Sequence, residues 1–522
     1  MEGGDAQVAE GELGPGEDLG EDKRKAYNAA VQTLTELQRR GRFRTADMVD
    51  YLFLGQGALN KRMNDQRVAP FVAAEQVPGV KGNVWKLRND VGYTVAFSLG
   101  RRNLRGAVFN ANHELVGGVA LEPLRESGDG WKAEEFYDLV VDLTRQVIRD
   151  AGISAEKIVG LTVAIPAPVA RSRRPDAEKS TELASHWTLR PLAGELPVQA
   201  LRMKFKALNR PQDSALRRQL GSENPLRISL VNDATAAAFG TVMWLKTHKT
   251  LAPPANLLYV FVGDGVGAGA IVGHRPLYGG AGLAGEIGHI AVDPQGEFCP
   301  RCGKRGCLEV VASGSMMARR IASGLDARTT DPGPFFEFVQ SASPRGRAHP
   351  LVSSVLREAG WHLGTRLGAI CNVLNPNVVV VDSYDLVELA ARWNPEWPDE
   401  LPGSFSPTHS PDFRNAVLRG LDQHAISPIR RWLEPPRDGV AEEPQGAPAD
   451  DLFTAKPTLE RGVHFGTDTL GIELKAKTTL PLVGAASVAM DDFFKEYLKD
   501  QIGLFEPGAD EDSVADAAPN GA

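Results

Sequence analysis

Cysteine is scarce in this chain, with 4 among 522 residues, and three of the four lie between positions 299 and 307. We therefore do not expect a disulfide-stabilised secreted domain. We expect a reducing, cytoplasmic setting. Long apolar runs are also missing. The run "VAIPAPVA" at 163–170 is far shorter than the ~18 residues that suggest a membrane span. The first 20 residues have no basic start and no apolar core, so we expect neither a secretory signal nor a membrane partner.

The net charge of −8 is distributed unevenly. Residues 1–20 carry six acidic and no basic side chains, and residues 505–522 carry five acidic and none basic. Acidic ends rich in Gly, Ala or Pro predict disordered tails over 1–22 and 503–522. Residues 21–90 instead hold 13 Lys and Arg against 8 Asp and Glu, a surplus of 5. Such a stretch either meets nucleic acid or is simply a solvated face.

Three short helices followed by a hairpin are predicted over residues 23–90. Leu34 and Leu37 recur at helical spacing, "ADMVDYLF" and "GALNKRMNDQ" follow as further helices, and "VPGVKGNVWKLRND" predicts a hairpin. This order is typical of a winged helix-turn-helix that binds DNA. The exposed side of the third helix offers side chains suited to bases and phosphates, namely Gln56, Asn60, Lys61, Arg62 and Asn64. A helical cap that touches no DNA explains the same pattern.

From residue 93 strands and helices alternate, which predicts an α/β core with its site at strand ends. A hairpin followed by a helix occurs twice, near 93–150 and near 257–325, and this indicates a duplicated, two-lobed fold. We assign residues 91–385 and 475–502 to this core. The segment 391–460 holds 11 of the 35 prolines. That density predicts an extended or mobile insertion over 390–474.

Four candidate metal ligands cluster in the middle of the chain with the spacing H-x9-C-x2-C-x4-C. They are His289, Cys299, Cys302 and Cys307. Imidazole and thiolates are the ligands that tetrahedral Zn²⁺ prefers, and four of them leave no open position, so a structural zinc is predicted. The alternative is three shielded thiols without a metal. Cys371 lies in an apolar helix and is expected in the core.

Several segments together resemble the ROK family, whose name joins repressors, open reading frames and kinases. They are "AGEIGH", "CGKRGCLE", "LVNDATAAA" and "LNPNVVVVD", and the resemblance covers about residues 93–385 and 480–500. The cysteine cluster has one residue too many, because Pro300 and Arg301 replace a single spacer. The resemblance implies a two-lobed actin/hexokinase-like (ribonuclease H-like) fold with a sugar in its cleft.

The resemblance also implies a set of sugar-binding residues. They are Asn232, Asp233, Glu286, His289 and Glu309. Asp233 matches the general base of the kinases, and it would be catalytic only if this chain is one. Carboxylates and amides exchange paired hydrogen bonds with vicinal hydroxyls. Asn232 and Asp233 before an Ala-rich helix also have the pattern of a plain N-cap.

Three phosphate- or nucleotide-handling sites depart from the kinase pattern. Ser98 stands where family kinases have an aspartate, and Arg101–Arg102 replace a Gly-Thr pair. Asp264 separates Gly263 from Gly265, where Thr or Ser is usual, and "VVVVDSYD" lacks a Gly-Gly pair. A carboxylate at Asp264 would repel a transferred phosphoryl group. Sugar binding is therefore expected to be kept and phosphoryl transfer lost.

This combination favours a sugar-responsive transcriptional regulator, a homodimer or homotetramer with operator DNA and a small sugar as partners. The main alternative is an active hexose kinase, which would need ATP and Mg²⁺. A degenerate family member that acts as a protein-interaction module is the third interpretation.

Overall fold

The structure is a computed structural model, and we describe it over most of residues 21–501. The positions of that range left undescribed are 41–42, 53, 77–81, 101–102, 125–130, 172–180, 184–188, 193–195, 221–227, 249–253, 325–348, 385, 387–388, 390–404, 434–461, 468–469, 471 and 473–478. Both predicted acidic tails lie outside the described residues, apart from residues 21 and 22. The first helix begins at Glu21, so residues 21 and 22 of the predicted tail belong to it.

The described residues form helices and strands in an order that alternates after the first 90 residues. The helices are α1 Glu21–Arg40, α2 Thr45–Leu52, α3 Gln56–Met63, α4 Ala133–Asp150, α5 Pro197–Lys206, α6 Ser214–Leu220, α7 Asp233–His248, α8 Glu309–Ala312, α9 Gly314–Gly324, α10 Pro350–Leu374, α11 Pro411–His424, α12 Ser427–Leu433 and α13 Leu480–Gln501. The strands are β1 Phe43–Arg44, β2 Val72–Glu75, β3 Val84–Leu87, β4 Tyr93–Leu99, β5 Asn103–Asn110, β6 Leu115–Pro123, β7 Ile158–Ile165, β8 Val169–Arg171, β9 Thr181–Leu183, β10 Ile228–Asn232, β11 Leu257–Val262, β12 Val266–Val272, β13 Arg275–Pro276, β14 Val378–Ser383 and β15 Gly462–Phe465.

We call residues 21–87 the N-terminal head. Helices α1 to α3 pack over a small sheet with strand order β1-β3-β2, in which both strand pairs are antiparallel. The three predicted helices are present, but the hairpin differs from the prediction. Its first strand starts at Val72, whose register partner is Leu87, and both side chains are buried. Burial of this pair favours the observed register.

Each lobe of the core contains one five-stranded sheet. In the first lobe the order is β10-β7-β4-β5-β6, with β4, β5 and β6 antiparallel neighbours and β7 and β10 parallel to β4. The second sheet, β15-β14-β11-β12-β13, repeats this order strand for strand. The repeated hairpin-and-helix pattern of the sequence is thus a true structural duplication.

Helices α7 and α13 lie between the two sheets. One hydrophobic cluster joins their side chains to both lobes, with Ala96 and Ala164 from the first sheet and Tyr259 and Val380 from the second. Small residues let backbones approach closely in such a layer. Asp233 begins α7 directly after β10, so this packing also fixes the carboxyl end of β10.

The Pro-rich segment is not simply an extended insertion, which corrects the prediction for 390–474. Pro411 occupies the first turn of α11, where proline is favoured, and α11 packs against α10. A Cβ at Gly364 of α10 would lie 2.1 Å from Val417 O, so the two backbones are in direct contact. Strand β15 completes the second sheet. Within the described residues, no helix combines the length and apolar character needed to cross a membrane.

Candidate functional site

Asn232 and Asp233 lie at the junction of β10 and α7. Asn232 Oδ1 accepts a hydrogen bond from Thr235 N at 3.0 Å, and its Nδ2 donates to Ala167 O at 3.2 Å. Asp233 Oδ1 accepts from Ala234 N at 2.8 Å. Asn232 therefore does cap α7, as one interpretation of the sequence held, and the cap orients the half-buried Asp233. Burial raises the pKa of Asp233 to about 6.

Glu286 and His289 flank a short 3₁₀ turn on the second lobe. His289 Nε2 lies 3.8 Å from Glu286 Oε2. Burial first, and then the charges of Glu309 and Asp233, raise the pKa of Glu286 to about 7. The charge of Asp233, which follows the first sheet, thus acts on Glu286 of the second lobe.

Glu309 is only 6% exposed, and Arg301 holds it. Glu309 Oε2 accepts from Arg301 Nη1 at 3.0 Å and from Val266 N at 3.3 Å. A Cβ at Gly265 would lie 2.3 Å from both of those side-chain atoms, so the glycine makes room for the pair. Sequence reasoning missed the role of Arg301. The signal was available, because Arg301 belongs to the extra length of the cysteine cluster.

The four predicted metal ligands come together in space. One ligand atom each from His289, Cys299, Cys302 and Cys307 lies within 4.8 Å of all the others. Cys299 Sγ is 3.7 Å from His289 Nδ1, and Cys302 Sγ is 3.4 Å from Cys307 Sγ. Ligands of tetrahedral zinc are separated by roughly 3.3–3.8 Å, so the donor set fits that ion. Cys371 is buried in a different cluster, as expected of a core residue.

Glycines shape the loop that carries the cysteines. Gly303 and Gly306 have φ angles of 70° and 64°, in the left-handed region that other residues rarely adopt. A Cβ at Gly306 would clash with Asp293 O at 1.4 Å. The loop therefore closes tightly beside Glu309. His289 links the two parts of the site, with Nδ1 toward Cys299 and Nε2 toward Glu286.

The structure describes some of the positions at which the sequence departs from the kinase pattern. Ser98 is buried in β4, and Arg101–Arg102 lie outside the described residues. Asp264 Oδ1 accepts a hydrogen bond from Ser315 Oγ at 2.8 Å, so the carboxylate is held within the glycine loop. At the end of β14, Ser383 Oγ lies 3.0 Å from Thr408 Oγ1. Ser406 Oγ is within hydrogen-bond distance of both, so the three hydroxyls form one cluster.

The third helix of the head presents the predicted polar residues unequally. Gln56, Asn60 and Lys61 are exposed. Arg62 is half-buried, and its Nη1 donates to Gln32 Oε1 of α1 at 3.3 Å. Asn64 Nδ2 donates to Asn60 O at 2.8 Å and caps the helix. Arg62 therefore lies less open to a partner than the sequence suggested.

Residues 94–383, more than half of the chain, match the sequence profile of the ROK family. The chain belongs to the ROK family. The paired five-stranded sheets with α7 and α13 between them agree with the two-lobed actin/hexokinase-like fold expected of this family. A solved ROK family transcriptional regulator, described as a homologue of the E. coli MLC protein, superposes with a TM-score of 0.58 at 16% identity. It covers 91% of this chain and 99% of its own. At that identity the likeness shows the fold alone.

Curated ROK relatives carry different names. A glucokinase of Halalkalibacterium halodurans is 34% identical over 177 residues, which is 33% of this chain and 52% of the relative. A xylose repressor of Caldicellulosiruptor bescii is 25% identical over 305 residues, 57% of this chain and 67% of the relative. An N-acetylmannosamine kinase of Citrobacter koseri is 42% identical over 102 residues, 19% of this chain and 33% of the relative. This chain thus spans between a third and two thirds of these relatives.

Proposed function

We propose that this ROK protein is a sugar-responsive, DNA-binding transcriptional regulator that does not transfer phosphate. The observation that carries the proposal is a contrast between two sets of residues. Asn232 and Asp233 begin α7, and the charge of Asp233 acts on Glu286 beside His289, which supports a sugar site, whereas Asp264 puts a fixed carboxylate into the loop that would receive a phosphoryl group. A sugar-binding site that lacks a working phosphate site is what an effector site would need.

The N-terminal head supports the DNA-binding half of the proposal. Its three helices and antiparallel sheet have the order of a winged helix-turn-helix, with α3 as the recognition helix. Gln56, Asn60 and Lys61 would contact bases and phosphates from the exposed face of α3. Two heads of a homodimer or homotetramer would meet two half-sites of an operator.

The cysteine cluster supports the sugar-binding half. His289, Cys299, Cys302 and Cys307 would hold a structural Zn²⁺. When bound, the ion would supply rigidity rather than reactivity, because its four ligands leave no open position. The chain itself contributes the tight loop that places Arg301 and Glu309 beside the other proposed sugar-binding residues.

The decisive experiment selects genomic DNA fragments on the full-length protein at two salt concentrations, with and without each of glucose, xylose and N-acetylmannosamine. The proposal predicts a recurring two-fold-related motif that survives higher salt and whose retention changes with one sugar. If the DNA is no longer retained at higher salt, its binding comes only from attraction between phosphates and the basic surplus of residues 21–90. That outcome would favour the protein-interaction module over the regulator.

A hexose kinase is the second candidate, and one observation favours it. Burial raises the pKa of Asp233 to about 6, into the range of a general base near neutral pH. A coupled assay with ATP, Mg²⁺ and the same sugars tests it. Turnover that Asp233→Asn abolishes would establish the kinase, whereas no turnover above that of Asp233→Asn would leave the regulator.

A further inference from the structure

Helix α13 is locked to α7, the helix that begins with Asp233. A Cβ at Gly240 of α7 would lie 2.1 Å from Leu480 O, and a Cβ at Gly484 would lie 1.9 Å from Ala236 O. The two backbones are therefore in direct contact with no side chains between them. Close-packed interiors transmit displacement rather than absorb it. A shift of α7 must move α13 or disrupt this crossing.

The far part of α13 holds the N-terminal head. Gln38 Nε2 of α1 donates to Ser487 O at 2.9 Å, and Tyr27 Oη donates to Lys495 O at 3.3 Å. Phe71 packs edge-on against Phe494, with ring centroids 5.4 Å apart. These attachments join one hydrophobic cluster that spans the head and α13. Helix α13 thus contacts both the head and α7, the helix that begins with the proposed sugar-binding residue Asp233.

The contact between head and core contains a polar junction of Gln38, His113 and Ser487. Ser487 Oγ donates to Val483 O at 3.0 Å and lies 3.3 Å from His113 Nδ1. Gln38 Oε1 and His113 Nε2 are buried, and neither has a hydrogen-bond partner among the described residues. Buried polar atoms without partners cost free energy that exposure to water returns. The unpartnered atoms therefore lower the stability of the docked state at this junction.

We propose that α7 and α13 form the route by which a ligand at Asp233 changes the docking of the N-terminal head, and that the Gln38–His113–Ser487 junction is where the docking opens. The inference rests on the proposed function, because it assigns a path to the response of that regulator. A ligand shifts such an equilibrium only by its different affinity for the two states. Reorientation of the first turn of α7 would supply that difference.

The first test needs no ligand. Gly484→Ala forces α13 away from Ala236 O, whereas Gly118→Ala is the control, because nothing lies within 4 Å of the added Cβ. In hydrogen exchange on the folded full-length protein, Gly484→Ala should speed exchange of the α1 amides about tenfold, within the usual range of coupling between sites. The control should leave them unchanged. Wild-type exchange in Gly484→Ala would overturn the inference.

Gln38→Leu is a second variant, for use also if Gly484→Ala does not fold. Leucine of similar size removes the buried hydrogen bond that Gln38 Nε2 donates to Ser487 O, so docking of the head should be weakened. Exchange of the α1 amides should quicken, again by about tenfold, and added sugar should change it less than in wild type. Exchange at the wild-type rate in Gln38→Leu would contradict the junction's assigned role.

Sugar binding separates the two proposals. Calorimetry with glucose, xylose and N-acetylmannosamine first asks whether any of them binds. If none binds while Gly484→Ala still loosens α1, the route stands and the sugar-responsive function fails. If one binds and saturating sugar leaves α1 exchange of the wild type unchanged, the effector site stands and the route is overturned.

Discussion

Arg301 Nη1 donates to Glu309 Oε2 over 3.0 Å, so the additional length of the cysteine loop ends in an ion pair with a residue expected to bind sugar. The Glu309 side chain is 7% exposed and that of Arg301 is 25% exposed. A pair this buried is poor evidence of net stability, but removal of one partner leaves an uncompensated charge. The pair therefore ties the loop to the sugar site.

Arg301→Gln should consequently destabilise the protein by ~3 kcal/mol, at the lower end of values for a broken buried pair. Arg301→Gln combined with Glu309→Gln should recover most of that loss, because neither charge then remains. Denaturant unfolding of both variants measures this. Arg419→Gln is the control, since Arg419 is an exposed arginine of α11, away from this loop. Equal loss in the single and double variants would mean that the charge of Glu309 is not the cause.

Removal of a metal ligand should abolish zinc retention. We expect wild-type protein to carry about one zinc per chain, as four ligands of one site require, and Cys302→Ser to carry far less. Metal content after dialysis, measured by mass spectrometry, and the melting temperature before and after chelation check this. Cys371→Ser is the control, because that thiol lies in the apolar core of the second lobe. Equal zinc in Cys302→Ser and wild type would refute the four-ligand site.

The stability of the unliganded protein should depend on pH through Asp233. Its folded-state pKa of about 6 exceeds the ordinary value of 3.8, so the folded chain keeps a proton that the unfolded chain releases. The contribution to the free energy of unfolding is therefore full below about pH 4, falls as pH rises to about 6 and stays low above it. Asparagine does not titrate, so Asp233→Asn removes this dependence.

The free energy of unfolding of Asp233→Asn, taken relative to that of wild type, should be higher by about 1 kcal/mol at pH 8 than at pH 5. The reason is that one pKa unit corresponds to about 1.4 kcal/mol. Denaturant midpoints at both pH values measure the difference. A pH-independent effect of Asp233→Asn would show that the carboxyl is not shifted by burial.

The local parts of the site could be read from the sequence, because the relevant residues are neighbours in the chain. Asn232 and Asp233 follow a strand directly, and the metal ligands span fewer than 20 positions; the structure brings both groups together. Arg301 escaped prediction because its role depends on reaching Glu309 across a turn. Only the folded loop shows which way the extra length projects.

The misjudged parts depend on tertiary contacts. Prolines near 390–474 suggested extended chain, yet Pro411 starts a helix that is buried against α10. Proline composition alone does not separate a helix start from a loop. Likewise, Arg62 has the residue type of a DNA contact, but Gln32 of α1 draws it inward. Pairing between distant segments decides both cases.

Lys61 provides the most direct test of the head as a DNA-binding unit. It is exposed on α3 and carries a charge that a phosphate would neutralise. If one contact is lost in Lys61→Gln, affinity should fall for all DNA sequences alike, and the slope of log affinity against log salt should weaken by about 1. Asn60→Ala should instead lower the preference for the selected motif over random DNA, because an amide reads base edges.

Fluorescence anisotropy with the selected motif and with a random duplex, at several salt concentrations, separates these two effects. Lys206→Gln is the matched control, because it removes an exposed lysine at the end of α5, outside the head. It should alter neither the salt slope nor the preference. If Lys206→Gln weakens binding as much as Lys61→Gln does, DNA meets the protein's charge in general, and α3 is not the recognition helix.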